Sequence, residues 1–301
     1  MSVDPQNVSN IFLFTDHDLD GAGCYYLLRK FIGKKFDYKQ TSEKNFLEDF
    51  NNLKNKESYQ RIYIFDLAVF KDFYQDFDLE NVVYSHHRNL HEQKNIAISK
   101  LKNESQEYTS CTKLLYNKLK DKFKSPLTEE QKKLILLIDD YDSYALKSPN
   151  SLKLNYLYWT FRYNKAEEFY NQFEEGFNGF SPYQQKIISD CEAKFNEIYR
   201  NLKIFKGNIT LKDKQVSVCS TFNSFAPSEI CNKIILDHKC DIVINVNLNN
   251  NYLNIRKSPN CEVHIGKLAE KLFDGGGDEK IAGGHLNNNF LSLSKLLYPI
   301  Q

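Results

Sequence analysis

The residues best suited to chemistry stand near the start of the chain, where an apolar run leads directly into alternating carboxylates. Residues 12–14 are Phe-Leu-Phe, and Asp16, Asp18, Asp20 and Gly21 follow them closely. Three carboxylates this close repel one another unless a cation neutralises them. Mg²⁺ and Mn²⁺ prefer oxygen ligands, and Mn²⁺ also accepts imidazole. The stretch therefore predicts a metal site, and an Asx turn or helix N-cap is the alternative.

Two later apolar runs also end on side chains that can bind metals. The run at 61–65 is followed by Asp66, and the run at 81–84 is followed by Ser85, His86 and His87. Alone, Asp66 could cap a helix and the histidine pair could be incidental. Apolar runs separated by helical segments are typical of parallel βαβ units, which place ligand sites at the carboxyl ends of their strands. Three such strand ends favour one shared site.

Helical patterns connect these strands and continue beyond them. The spacing of apolar residues predicts helices from residue 21 and over 108–119. Thr128, with Gln131 three residues later, predicts the N-cap of another helix that leads into Asp139, Asp140 and Asp142. Residues 182–202 predict a long connecting helix. Together these elements indicate an α/β protein.

The second part of the chain has a different pattern. From about residue 206, β-rich runs at 216–219, 242–246 and 252–256 surround helical stretches at 227–237 and 264–272. A glycine-rich stretch then begins at Gly275. We therefore expect a second, smaller α/β domain over 206–301.

Composition narrows the classes of function. The 301 residues carry a net charge of +1, so no overall positive field favours long nucleic acid. No apolar run reaches the roughly 18 residues of a membrane span, and the N-terminus has no signal-peptide pattern. The seven scattered cysteines favour reduced thiols and a cytoplasmic location.

In their order, these motifs resemble those of the DHH/DHHA1 phosphoesterase superfamily, which includes nano-RNases, oligoribonucleases and cyclic-dinucleotide phosphodiesterases. Residues 275–283 resemble the family's Gly-Gly-Gly-His-x-x-Ala-x-Gly stretch, and residues 254–258 resemble its Arg-Ser element. The resemblance implies an N-terminal parallel-sheet DHH domain (1–180) that binds metal. It also implies a helical connector (181–205) and a smaller DHHA1-like substrate-binding domain (206–301).

The resemblance also implies the roles of individual residues. It implies two divalent cations, with Mn²⁺ favoured over Mg²⁺. The implied metal ligands are Asp16, Asp18, Asp20, Asp66, His86 and Asp142. Asp140 competes with Asp142 for the last position, and local spacing leaves that choice open. The implied catalytic residues are His87 and Arg256. The implied substrate-binding residues are His87, Arg256, Gly275, Gly276, Gly277 and Asp278.

Two positions depart from the family pattern. Ser85 stands where the family has Asp, which keeps a hydrogen-bonding group but loses a charge beside a ligand histidine. Asp278 stands where the family usually has His, and a carboxylate there would repel a phosphate unless it is turned away. His285 lies nearby in the sequence. Both departures bear on metal affinity and substrate preference.

The expected activity is hydrolysis of phosphoester bonds in short single-stranded oligonucleotides or linear or cyclic dinucleotides, giving mononucleotides. One alternative is a phosphatase of a small nucleotide such as a nucleoside 3′,5′-bisphosphate. Another is a non-catalytic nucleotide-binding module with a decayed site, which only Ser85 and Asp278 favour. Long duplex DNA and membranes are not expected partners, and a homodimer is left open.

Overall fold

The computed structural model describes residues 10–67, 82–85, 109–211, 213–277 and 279–300. The chain divides into two compact units, Met1–Ile188 and Ser189–Gln301. The boundary falls inside a long helix, Pro182–Asn201. The division of the chain into a metal-binding domain, a connector and a substrate-binding domain stays a prediction.

The first unit alternates strands and helices, as the sequence predicts. Its elements in chain order are β1 (Ile11–Thr15), α1 (Leu19–Ile32), β2 (Asp37–Gln40), α2 (Glu43–Asn51), β3 (Arg61–Phe65), β4 (Val82–Ser85), α3 (Cys111–Leu119), α4 (Glu129–Asp142), α5 (Pro149–Thr160), α6 (Lys165–Phe173) and α7 (Pro182–Asn201). The strands form a parallel sheet in the order β2-β1-β3-β4. The three apolar runs singled out in this region of the sequence are therefore strands of one sheet.

Both faces of the sheet are buried at β1, β3 and β4, which explains why these strands are continuous apolar runs. Leu13 lies in the core cluster that contains Tyr26 of α1, whereas the next residue, Phe14, lies in a second cluster with Phe46 of α2. Successive side chains of a strand point to opposite faces, so a strand covered on both sides needs apolar residues at every position. Each fully buried side chain of this size contributes about 1.5–3 kcal/mol.

The edge strand β2 and the helix α2 are absent from the sequence prediction. β2 has the sequence Asp-Tyr-Lys-Gln, and exposed positions alternate with half-buried ones along it. Such a short polar segment carries no apolar run, and its strand conformation comes from pairing with β1. Pairing partners far along the chain are not visible in a local pattern.

The start of α4 agrees with the predicted cap. The Thr128 hydroxyl accepts a hydrogen bond from the Gln131 amide at 3.3 Å, and the Gln131 side chain accepts one from the Thr128 amide at 3.0 Å. This reciprocal pair satisfies two amides that the helix leaves without a backbone partner.

The second unit has a mixed sheet packed between helices. Its further elements are β5 (Ile204–Leu211), β6 (Lys214–Phe222), α8 (Pro227–His238), β7 (Ile242–Asn247), β8 (Tyr252–Lys257), α9 (Ile265–Leu272), β9 (Gly276–Gly277), β10 (Ile281–His285), α10 (Asn288–Ser294) and β11 (Tyr298–Pro299). The sheet order is β11-β5-β6-β7-β8-β10-β9, and the β6–β7 pair is parallel. Val243 packs in a cluster with α8, and Ile244 packs in one with α9. The α/β class predicted for both parts of the chain is confirmed.

Within the described part of the chain, no helix is both long enough and apolar enough to cross a membrane.

Candidate metal centre

The sheet of the first unit aligns the ends of three strands. Thr15, the last residue of β1, pairs in register with Phe65, the last residue of β3, and Phe65 pairs with Ser85, the last residue of β4. Asp16 and Asp66 follow the first two of these strands directly. The carboxyl edge of a parallel sheet is where ligands bind in open α/β folds. His86 and His87 follow β4 but lie outside the described residues.

Asp18 lies at the junction between β1 and α1. Its Oδ1 accepts a hydrogen bond from the Gly21 amide at 2.9 Å, so it is the N-cap of α1. The capping role considered for this stretch is therefore present, alongside the clustering of carboxylates. Gly21 is needed because a Cβ at this position would overlap the main-chain oxygen of Asp16. The turn thus brings Asp16 and Asp18 over the first turn of α1.

Asp16 is paired with its neighbour His17. The Nδ1 atom of His17 lies 2.7 Å from Asp16 Oδ1, and the His17 amide donates to the same oxygen at 2.5 Å. The hydrogen bond to Asp16 is the main reason why the pKa of His17 is raised. This pair places the half-exposed His17 ring beside the Asp16 carboxylate.

Asp66 has an unusual backbone conformation directly after β3. Its φ is +60°, in the left-handed region, although it is not a glycine, and its side chain is buried. Such a conformation costs of order 1 kcal/mol or more and persists where the surrounding structure imposes it. Strain of this kind is often found at functional sites. It therefore supports Asp66 as a candidate metal ligand.

Asp20 is buried and anchors another helix. One of its carboxylate oxygens accepts from the Cys111 amide at 2.7 Å and the other from the Thr112 amide at 2.9 Å. The Thr112 hydroxyl donates to the main-chain oxygen of Asp20 at 2.9 Å. Asp20 therefore holds the N-terminus of α3 in place. Sequence reasoning did not predict the contact of Asp20 with Thr112, because nothing in the local pattern links residues 92 positions apart.

Burial and neighbouring negative charges raise the pKa values of several of these carboxyl groups. Burial and then the charges of Asp16 and Asp20 raise the pKa of Asp18 to about 7. Burial raises the pKa of Asp66 well above its usual range, and the charges of Asp20, Asp18 and Asp142 add to the effect. Burial also raises the pKa of Asp20, against the hydrogen bonds from α3. Asp142 therefore belongs to the same electrostatic group as the carboxylates after β1 and β3.

The structure separates the roles of the acidic residues at the end of α4. Asp140 accepts hydrogen bonds from the Lys147 amide at 2.8 Å, the Ser148 amide at 2.9 Å and the Ser151 hydroxyl. It therefore organises the loop between α4 and α5. Asp139 accepts from the Ser110 amide at 2.8 Å. Asp142, by contrast, interacts with Asp66, which favours Asp142 over Asp140 as a ligand candidate.

The donor set fits divalent cations in its chemistry. It consists of carboxylates that are costly to keep charged without a counter-ion, and hard cations bind carboxylate oxygens. Among the described residues, no three His, Cys, Asp or Glu side chains already surround a single point at metal-binding distances. The predicted histidine ligand is not among those residues.

The second unit places Arg256 close in the sheet to the glycine-rich stretch. Arg256 on β8 is in register with Ile281 on β10, and the next residue, Ala282, is in register with Gly277 on β9. The Arg256 Nη2 atom donates to the Ser228 hydroxyl at 2.7 Å. Asp278, which was predicted to contact substrate, lies outside the described residues.

The three glycines of this stretch have different steric environments. A Cβ at Gly275 would overlap the main-chain oxygen of Gly283, and one at Gly277 would overlap that of Ile281. Gly277 also has a φ of +143°. At Gly276 the nearest atom would be 3.9 Å away. Hairpin packing therefore accounts for Gly275 and Gly277 but not for Gly276, which leaves room for an anion-binding role at Gly276.

No protein-family profile matches the sequence, and no curated protein does. Solved structures do match. A pGpG-specific phosphodiesterase, PggH from Vibrio cholerae, has a TM-score of 0.56 and 14% identity, over 95% of this chain and 96% of that chain. RecJ from Thermus thermophilus in complex with Mn²⁺ has a TM-score of 0.53 and 12% identity, over 97% of this chain and 52% of that chain.

An exopolyphosphatase-related protein from Bacteroides fragilis has a TM-score of 0.51 and 12% identity, over 97% of this chain and 91% of that chain. All three of these proteins belong to the DHH/DHHA1 superfamily. At these identities the likeness shows the fold. The fold that the motif resemblance implied is therefore confirmed over nearly the whole chain.

Proposed function

We propose that this chain, which has the fold of the DHH/DHHA1 phosphoesterases, is a metal-dependent phosphodiesterase. Its proposed substrates are short single-stranded oligonucleotides or linear or cyclic dinucleotides, which it hydrolyses to mononucleotides. The observation that supports this best is the group of electrostatically coupled carboxylates at the aligned strand ends of the first unit. The charges of Asp16 and Asp20 raise the pKa of Asp18, and those of Asp20, Asp18 and Asp142 raise the pKa of Asp66. Divalent cations would remove that penalty.

The proposed metal ligands are Asp16, Asp18, Asp66 and Asp142, with His86 from the sequence pattern and Asp20 as a further member. Divalent cations bound there would lower the pKa of a water molecule and neutralise charge on the phosphoester oxygens. Asp20 contributes by joining α1 to α3 through the Cys111 and Thr112 amides. The left-handed backbone conformation of Asp66 fixes the direction of its carboxylate before a ligand binds.

The second unit is proposed to bind the substrate's phosphate. Arg256 offers a planar guanidinium that matches phosphate oxygens, and its bond to Ser228 holds it in one orientation. Gly276 and its neighbours allow backbone amides to approach an anion. His87 and Asp278 are proposed to contact the substrate on the motif resemblance alone.

The likeness to the pGpG-specific phosphodiesterase supports a small substrate, since the two chains align over 96% of that protein with a TM-score of 0.56. The net charge of +1 also supports a short ligand over a long nucleic acid. A phosphatase acting on nucleoside bisphosphates remains the alternative that an assay must separate, although no feature of the site favours it.

A hydrolysis assay with a 5′-phosphorylated diribonucleotide and Mn²⁺ tests the proposal. The wild type should release mononucleotides, and Asp66→Asn should lower the rate by more than about 100-fold, because even groups behind metal ligands cost about 10–100-fold. Glu175→Gln, which removes an exposed carboxylate of the same unit, is the control and should have no effect. Release of inorganic phosphate from a nucleoside 3′,5′-bisphosphate, with the dinucleotide left intact, would indicate the phosphatase instead.

A further inference from the structure

We infer that the exposed indole of Trp159, bordered by Lys165 and His17, is the surface on which a nucleobase of the substrate stacks. This inference rests on the proposed function, since it names what the site beside the carboxylates recognises. It concerns the first unit alone. The ligand class is a nucleotide with an intact base and a phosphate.

Exposure of the large apolar indole of Trp159 to water is energetically unfavourable. It is the only tryptophan of the chain, it lies in the last turn of α5, and the residue is 47% exposed. Its neighbour Tyr158 is fully buried, so the helix has a core-facing side that the indole does not join. Large exposed aromatic side chains are common where a protein binds a partner or a ligand.

Two nitrogen-bearing side chains, the Lys165 ammonium and the His17 imidazole, border this indole. The Nζ atom of Lys165 lies 4.1 Å from the Trp159 ring centroid. The His17 and Trp159 ring centroids are 5.9 Å apart, with an angle of 79° between the rings. Among the described residues, the ion pairs of the first unit do not include Lys165. The ammonium group can therefore turn from the ring to a phosphate when a base takes its place.

The indole is connected to the carboxylate cluster by short contacts. His17, which touches Trp159, is bonded to Asp16 through Nδ1 at 2.7 Å. The Tyr158 hydroxyl donates to the main-chain oxygen of His17 at 2.7 Å, and Gln40 Nε2 donates to that hydroxyl at 2.9 Å and to the Asp16 main-chain oxygen at 3.2 Å. The position of the aromatic surface relative to Asp16 is thus set by a hydrogen-bonded network.

This arrangement suits a nucleotide better than an abasic phosphate ester. Base stacking on an aromatic side chain is tolerant of base identity because every base has a π face. The Lys165 ammonium borders the ring and His17 links the ring to Asp16, so a phosphate next to the stacked base would meet Lys165. A flat aromatic ring offers little to ribose 5-phosphate, so the base should determine affinity.

The single tryptophan makes the test direct. Guanosine 5′-monophosphate contains no phosphodiester bond, so it can be titrated with Mg²⁺ present and without turnover. We expect saturable quenching of Trp159 fluorescence by this nucleotide, after correction for absorbance with free N-acetyltryptophanamide. Ribose 5-phosphate, which has the same phosphate and no base, should cause no quenching.

Variants give a second readout by calorimetry. Trp159→Ala should weaken guanosine 5′-monophosphate binding by about 10-fold, in line with the usual loss per stacked base, and Trp159→Phe should keep most of the affinity. Tyr183→Ala is the matched control, because Tyr183 is an aromatic residue of the same unit that is 74% exposed on α7. That control should bind the nucleotide as the wild type does.

The outcomes separate this inference from the proposed function. Quenching that depends on the base, and is lost with Trp159, supports stacking even if no dinucleotide is hydrolysed, in which case only the proposed activity fails. Absence of quenching, or wild-type nucleotide affinity in Trp159→Ala, overturns stacking even if the dinucleotide is hydrolysed.

Discussion

Thr112 forms two hydrogen bonds with Asp20: the Thr112 amide donates to the Asp20 carboxylate at 2.9 Å, and the Thr112 hydroxyl donates to the Asp20 main-chain oxygen at 2.9 Å. The bonds join the first turn of α1 to the first turn of α3. Both residues are buried, so neither bond can be replaced by water without cost. The acidic cluster therefore depends for its shape on a helix that begins 91 residues after Asp20.

Removing the Thr112 hydroxyl should measurably destabilise the first unit. Thr112→Val keeps the side-chain shape and removes one hydrogen bond, and we expect a loss of about 1 kcal/mol in the free energy of unfolding. Urea denaturation measures this change in the free energy of unfolding. Thr160→Val is the control, because its hydroxyl bonds to Leu157 within a single helix. Equal effects of the two substitutions would contradict a special role for Thr112.

Two adjacent glycines should respond differently to alanine. Gly275→Ala would push a methyl group into the main chain of β10 and should destabilise the second unit by about 1–3 kcal/mol, the usual cost of overpacking. Gly276→Ala meets no atom closer than 3.9 Å and should leave the thermal midpoint nearly unchanged. Thermal unfolding followed by circular dichroism checks the pair. A loss of stability in Gly276→Ala alone would refute this packing argument.

The pH dependence of stability should depend on Asp140. Burial opposes its charged form, but the bonds from Ser151, Ser148 and Lys147 outweigh that effect and lower its pKa. A carboxyl group with a lowered folded-state pKa stabilises the fold above its unfolded pKa of about 4, and this contribution disappears as the pH falls through the folded-state pKa. Unfolding free energies of the wild type and Asp140→Asn, measured from about pH 6 downwards, should therefore converge in acid. A constant difference would contradict this.

The sequence predicted the elements whose signal is local. The apolar runs that became β1, β3 and β4 are visible because both faces of the sheet are buried, and the Thr128 cap is visible because its partner is three residues away. The edge strand β2 and the Asp20–Thr112 contact could not be found in this way, because their partners are distant in the sequence. The sequence contains a single tryptophan, but it does not show that Trp159 is exposed beside His17, because these residues are far apart along the chain.

Metal binding should become stronger as the pH rises. Without a cation, burial and the charges of Asp16 and Asp20 raise the pKa of Asp18 to about 7. A raised carboxyl pKa means that the folded protein holds this proton below about pH 7, and a cation must displace it. The increase in thermal midpoint caused by Mn²⁺ should therefore be larger at about pH 8 than at about pH 6. Asp18→Asn should reduce this difference, and Glu175→Gln should preserve it. A Mn²⁺ effect that is independent of pH would argue against Asp18 as a ligand.

Calorimetric titration with Mn²⁺ at about pH 8 tests the central claim most directly. If the carboxylates after β1 and β3 bind cations, the wild type should take up about two ions per chain. Asp66→Asn and Asp142→Asn should bind fewer or none, and Asp140→Asn should bind as the wild type does. Wild-type Mn²⁺ uptake in Asp66→Asn, or no uptake by the wild type, would contradict the account.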